Sequence, residues 1–253
     1  LTAEPTSEPA TGPTSGPTAE PTAEPAAGPS SEPAAEPAAA PSSGPNAEPA
    51  ATPSSGPTAE PTEKALLRRA LLTARAALTD EDRVRTAELL ARHALELAEL
   101  AEAGTVAAYV SVGREPGTRA LLDALRERGV RVLLPVLLPD NDLDWAVYEG
   151  AARLVKAGRG LLEPAGERLG PEAVCSADAV LLPGLAVDGR GMRLGRGGGS
   201  YDRVLARLAQ AGADPALVVL LYANEVVARV PEEPHDHPVH AVVTPEGVRR
   251  FER

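Results

Sequence analysis

Apolar positions along the chain change period several times, and each change marks an element. Leu66, Leu67, Ala70, Leu71, Ala74 and Leu78 recur at helical spacing, which predicts an amphipathic helix over 64–77. Thr79, with Asp82 three residues on, resembles a capping box and opens a second helix to about Leu97. Thr105–Val110 then reads as a strand, and 117–128 as a helix stopped by Gly129. Val130–Leu134 reads as a strand closed by Pro135, and Leu143–Tyr148 alternates like a half-exposed strand. The stretch 158–170 has no period and reads as irregular. Val180–Leu182 suits a buried strand ended by Pro183-Gly184, while Val204, Leu205 and Leu208 give one apolar helical face between Ser200, as N-cap, and Gly212. Leu217–Tyr222, Glu225–Arg229 and Ala241–Thr244 follow as strand, short helix and strand. This alternation predicts an α/β fold: a three-layer α/β/α arrangement with a mostly parallel central sheet, whose ligands sit at the carboxyl ends of strands.

Ahead of this pattern the chain has another character. Proline stands at every fourth position from Pro5 to Pro61, separated by Ala, Thr, Ser, Glu and Gly. Such a segment buries too little apolar surface to offset its ordering entropy, so 1–62 is expected to be a disordered tail of polyproline II character. Fully extended it reaches on the order of 190 Å. It reads equally as a tether, a ligand for polyproline-binding partners, or sequence outside the protein's own start. Residues 63–253 are expected to form a single α/β domain.

Charge and cysteine usage narrow the function. The tail holds eight glutamates and no Lys or Arg; removing these and Glu63 from the net charge of −11 leaves −2 for 64–253. A nearly neutral domain argues against nucleic-acid binding. The single Cys175 excludes an internal disulfide and reads as a small core residue. No apolar run approaches about 18 residues and the first residues lack a signal-peptide pattern, so the expectation is a cytoplasmic protein with no membrane partner.

Candidate chemistry concentrates in the loop after Leu182. Gly195, Gly197, Gly198 and Gly199 leave backbone N–H groups open to close approach by an anion, and Arg193 and Arg196 add positive charge. The spacing is neither GxxxxGK[ST] nor GxGxxG, so on its own this is a phosphate cradle or a glycine-rich turn. Of 25 basic residues only Lys64 and Lys156 are lysines, which fits either a compact phosphate contact or a solvated helix start. Asp202 favours a helix N-terminus, or holds Mg²⁺ if a nucleotide phosphate sits on the loop. Glu115 is either a partner for a heterocycle's N–H donors or one side of a surface salt bridge. The segment 232–237 fits no zinc spacing and reads as a metal site or a polar loop.

With these residues in view, LPGLAVDGRGMRLGRGGGSYDRVL (182–205) closely resembles the signature of the 5-formyltetrahydrofolate cyclo-ligase, or 5,10-methenyltetrahydrofolate synthetase, family. Lys64–Arg68 as KxxLR, Tyr109–Glu115 as YxSxxxE, Glu163-Pro164, and Val230–Asp236 as VPxEPHD follow in that family's order. The resemblance implies a monomeric ligase that uses ATP and Mg²⁺ to convert 5-formyltetrahydrofolate to 5,10-methenyltetrahydrofolate, releasing ADP and phosphate. It assigns Lys64, Arg68 and the loop Arg193, Leu194, Gly195, Arg196, Gly197, Gly198, Gly199, Ser200 and Tyr201 to ATP. Arg193, Arg196 and Tyr201 become catalytic, Val110, Glu115 and Trp145 meet the folate, and Asp202 and Asp236 hold Mg²⁺. The alternative is a family-related nucleotide-binding regulatory module without turnover. This chain departs from many members at Ser200 and Val187, where they carry aromatics, and at His240, where some carry Asp.

Overall fold

A computed structural model describes residues 62–233 and 236–252, and the expectations for 1–61 fall outside them. Helix α1 (Glu63–Ala76) is capped by Thr62, whose hydroxyl accepts from the Ala65 N–H. Helix α2 (Asp80–Ala94) opens on the Thr79–Asp82 capping box and is followed by the short α3 (Ala98–Ala101). After β1 (Thr105–Ala107) come α4 (Arg119–Glu127), β2 (Arg131–Leu137), β3 (Leu143–Val147) and a small antiparallel pair, β4 (Leu154–Lys156) and β5 (Leu162–Pro164). Strand β6 (Ala179–Leu182) leads to a second pair, β7 (Ala186–Val187) and β8 (Arg193–Leu194), then α5 (Ser200–Ala211), β9 (Ala216–Leu220), β10 (Ala241–Thr244) and β11 (Gly247–Arg250).

Seven strands form one sheet in the order β11-β10-β9-β6-β1-β2-β3. The inner five run parallel, and the edges β11 and β3 are antiparallel, so the fold is mixed α/β with a mostly parallel sheet. Alternate residues feed opposite faces. Val106, Leu134, Leu181 and Val243 join one cluster with Leu90 of α2 and Leu122 of α4, whereas Ala107, Leu133, Leu182 and Val219 join another with Val204 and Leu208 of α5. Burial on both faces explains why the inner strands read as unbroken apolar runs. A third cluster seats Leu71 of α1 on Ala186 and Leu194 of the β7–β8 pair.

Several expectations shift. Strand β2 runs through Pro135 instead of stopping there. Tyr148 N–H donates to Val132 O, so N–H groups at 133, 135 and 137 point toward β1; β1 has ended by then, and proline lacks a donor that nothing needs. The helix expected over Glu225–Arg229 is a single 3-10 turn at Ala223–Glu225, after which Val226 is extended and bridges Val187. The stretch 158–170, expected to be irregular, contains β5, which pairs with β4 just before it, and β11 is a further strand that the sequence pattern does not predict.

One buried ion pair holds α1 to the sheet. Arg75 and Glu225 are 3 % and 1 % exposed; Arg75 Nε and Nη2 donate to the two Glu225 oxygens at 2.6 and 2.9 Å, and Nη2 also reaches Gly184 O at 2.7 Å. The guanidinium lies 5.6 Å from the Tyr222 ring centroid. Burial pushes the Glu225 carboxyl up, opposed by Arg75 and the Tyr222 N–H.

Arg75→Met is expected to lower the unfolding free energy by about 3–5 kcal/mol, because Glu225 is left buried and uncompensated. The double replacement Arg75→Met/Glu225→Met should cost less than the two single changes together; urea denaturation of the four proteins gives the comparison, and strict additivity would contradict it. A second expectation concerns acid. The Arg207 guanidinium, 2.6 Å away, holds Asp142 below the usual carboxylate range, and Arg250 does the same to Glu99. Their stabilisation is present above the unfolded carboxylate range near pH 4 and disappears as pH falls through the depressed folded values. Denaturation midpoints for Asp142→Asn should therefore fall less steeply on acidification than those of the parent.

Candidate active site

The signature loop lies beyond the carboxyl end of β6, where a cavity of about 430 Å³ opens between it and the β4–β5 pair. On one side stand Arg193, Arg196, the glycines and Tyr201; on the other are Pro135, Leu137, Leu143, Leu161 and Leu162. Tyr109, Val110 and Glu115, which follow β1, form a third wall. The loop's shape requires glycine at Gly197 and Gly199, whose φ values are +92° and +75°. Gly199, not Ser200, is the N-cap of α5; it supplies no side-chain cap, so the helix's first N–H groups meet the loop uncapped.

Each cation of the site is engaged. Arg193, 7 % exposed at its side chain, donates to Pro183 O at 3.0 Å and Asp202 Oδ1 at 3.3 Å. Burial pulls its pKa down against the charge of Asp202 and Asp236. Arg196, 53 % exposed, donates to Glu115 Oε1 at 3.1 Å, while Glu115 Oε2 accepts from Val112 N–H. Lys64 bridges Asp236 at 2.8 Å and Glu233 at 2.9 Å, bonds that outweigh the effect of burial and raise its pKa. Arg68 Nε donates to Gly195 O at 2.9 Å. Arg68 thus reaches the glycine loop from α1, and Lys64 on the same helix is held by Asp236; none of the three lines the cavity.

Two polar atoms here are left over. Arg193 Nε and the Tyr201 hydroxyl are buried and have no partner among the described residues. Burial also pushes the Tyr201 pKa up, which keeps the hydroxyl a donor. Unpaired buried donors beside an uncapped helix start suit a bound anion.

Trp145 is not brought to the cavity. Its indole is fully buried in the cluster under α5, with Nε1 unpartnered among the described residues, because β3 pairs with β2 in the register that turns position 145 inward. The Leu194 side chain is likewise in the core, and its carbonyl accepts from Leu185 N–H. Reading from sequence passed over Tyr109, Arg159 and the apolar wall. Tyr109 stood inside the quoted YxSxxxE pattern; the leucines carry no chemical signal of their own.

The sequence profile of the 5-formyltetrahydrofolate cyclo-ligase family matches residues 60–245. A 5-formyltetrahydrofolate cyclo-ligase of Mycolicibacterium smegmatis is 43 % identical over 188 residues, spanning 72 % of this chain and 93 % of that protein. The Escherichia coli K12 protein of that name is 32 % identical over 69 % of this chain and 96 % of its own length. Among solved structures, Aquifex aeolicus 5,10-methenyltetrahydrofolate synthetase superposes with a TM-score of 0.64 at 31 % identity, covering 75 % of this chain and 93 % of that one.

Because the Tyr201 hydroxyl is buried and unpaired without ligand, Tyr201→Phe should raise the unfolding free energy of the ligand-free protein by about 1 kcal/mol. A urea titration checks this, and a destabilised variant would mean the hydroxyl is satisfied in solution.

Proposed function

The chain belongs to the 5-formyltetrahydrofolate cyclo-ligase family, and we propose that the cavity between the glycine loop and the β4–β5 pair is where it performs that reaction. It is a ligase that closes 5-formyltetrahydrofolate to 5,10-methenyltetrahydrofolate. The observation that carries the site assignment is the unpaired Arg193 Nε and Tyr201 hydroxyl beside the uncapped start of α5. ATP is the co-substrate this arrangement favours. The loop N–H groups and Arg193 hold its phosphates from one side, and Lys64 and Arg68 approach the same loop from α1.

A formamide oxygen is a poor leaving group, which sets the chemistry. The γ-phosphorus–oxygen bond to ADP breaks as the formyl oxygen bonds to phosphorus, with electron density supplied by the N5 lone pair. N10 then bonds to the formyl carbon and loses its proton, and the carbon–oxygen bond breaks, releasing phosphate with the electron pair. Arg193 and Arg196 stabilise charge on the transferring group, which needs positioning and electrostatics more than a base. The Tyr201 hydroxyl donates toward the same oxygens. Glu115, fixed by Val112 N–H, accepts from the pterin's N–H donors, with Val110 beside it.

Asp202 and Asp236 both act on Arg193, and two carboxylates near phosphate oxygens match what Mg²⁺ takes from a protein. Held there, the ion would neutralise phosphate charge. The same reading takes the fold as three layers, α2 and α4 over one face and α5 over the other, in a monomer acting in the cytoplasm. No helix among the described residues is long and apolar enough to cross a membrane.

Purified protein with ATP, Mg²⁺ and 5-formyltetrahydrofolate should build the methenyl product's ultraviolet absorbance. Arg196→Ala should lower kcat by about a hundredfold, and Asp202→Ala should raise the Mg²⁺ concentration needed for half-maximal rate. Stabilisation by ATP without any product would favour the regulatory module instead.

A further inference from the structure

We propose that Arg159 is a specificity-determining residue that binds a carboxylate of the substrate's glutamate end. The inference rests on the cyclo-ligase reading and adds the direction in which the substrate lies. Three arginines line the cavity, and they are not alike. Arg193 and Arg196 stand on the glycine loop and are paired with Asp202 and Glu115. Arg159 comes from the turn joining β4 to β5, and its one hydrogen bond among the described residues runs from Nη1 to the neutral Asn141 Oδ1 at 2.9 Å. It is exposed, and its guanidinium has unused N–H donors at the cavity's edge.

Its backbone adds an independent observation. Arg159 has φ +60° and ψ +19°, left-handed geometry that L side chains rarely adopt, although Gly158 and Gly160 flank it. The turn is closed by Leu161 N–H to Gly158 O and Ala157 N–H to Leu161 O, which hold position 159 in that geometry. Only one other non-glycine described residue has positive φ, and it is Asn141, the side chain that Arg159 grips. Two adjacent turns are thus held in uncommon geometry around one guanidinium. Strain of this kind persists where surrounding structure enforces it, and it clusters at ligand clamps.

The substrate has matching parts in sequence: a bicyclic head carrying the formyl group, a benzoyl ring, and a glutamate with two carboxylates. With the head between Glu115 and the loop, the ring falls against Pro135, Leu137, Leu143, Leu161 and Leu162. The glutamate then emerges at the turn carrying Arg159. A planar guanidinium is the group best shaped for a carboxylate.

The test compares 5-formyltetrahydrofolate with 5-formyltetrahydropteroate, which lacks the glutamate. For the parent protein the pteroate should show the higher KM. Arg159→Ala should raise KM for 5-formyltetrahydrofolate by about tenfold with little change in kcat, and abolish the difference between the two substrates. Arg159→Gly should behave the same while relieving the left-handed strain, so its unfolding midpoint should not fall. Equal KM changes for both substrates, or none, would overturn the role of Arg159 and leave the ligase reading intact. A parent protein that forms no product from either substrate would instead overturn the ligase reading, and this one with it.

Discussion

The position of α1 on the sheet depends on one pair of opposite charges placed where water does not reach. Desolvating Arg75 and Glu225 costs several kcal/mol per ion, so the arrangement persists only because both Glu225 oxygens and Arg75 Nε and Nη2 have well-placed partners. Nη2 serves Glu225 and Gly184 O at once, and Glu225 also accepts from Tyr222 N–H. Hydrophobic contact alone would let α1 slide; a bidentate ion pair fixes its register.

That register is what assembles the site. Eleven residues before Arg75, the same helix places Lys64 against Asp236, and seven before it Arg68 against the glycine loop. Downstream, Tyr222 lies under the Arg75 guanidinium and donates its hydroxyl to Arg114 O, in the segment that carries Glu115. Two arginines hold the end of β6: Arg75 takes Gly184 O and Arg193 takes Pro183 O, neighbouring carbonyls.

How far the sequence revealed this differs by kind of interaction. The inner strands and α1, α2, α4 and α5 were legible because burial on a face imposes a period, and the Thr79 capping box was read directly. The charged residues of the candidate site could be named from sequence because their types and order matched a family pattern. Trp145 misled because aromatic chemistry says nothing about which side of an edge strand it occupies; that follows from the β2–β3 register. Ser200 misled as a cap because Gly199, in left-handed geometry, takes that position. Arg75 and Glu225 gave no signal at all, since a charge 150 residues from its partner looks like any solvated charge until the chain folds.

The candidate site pairs Arg193, Arg196 and Lys64 with carboxylates, which bears on how ligands would bind. Arg196 is held by Glu115, the residue proposed to meet the pterin; Arg193 is held by Asp202 and Lys64 by Asp236, the carboxylates proposed to hold Mg²⁺. On the proposed assignment Glu115, Asp202 and Asp236, which restrain Arg196, Arg193 and Lys64, each have another ligand to take, whereas Glu233, which lies 2.9 Å from Lys64, is assigned none. If Glu115 meets the pterin and Arg196 the phosphate, as proposed, each substrate would release the other's partner and lower the cost of binding it. Such coupling is reciprocal by thermodynamic necessity. Pairing also keeps Arg193 and Arg196 from standing uncompensated at the cavity, where a lone buried charge would cost more than a pair that must later exchange.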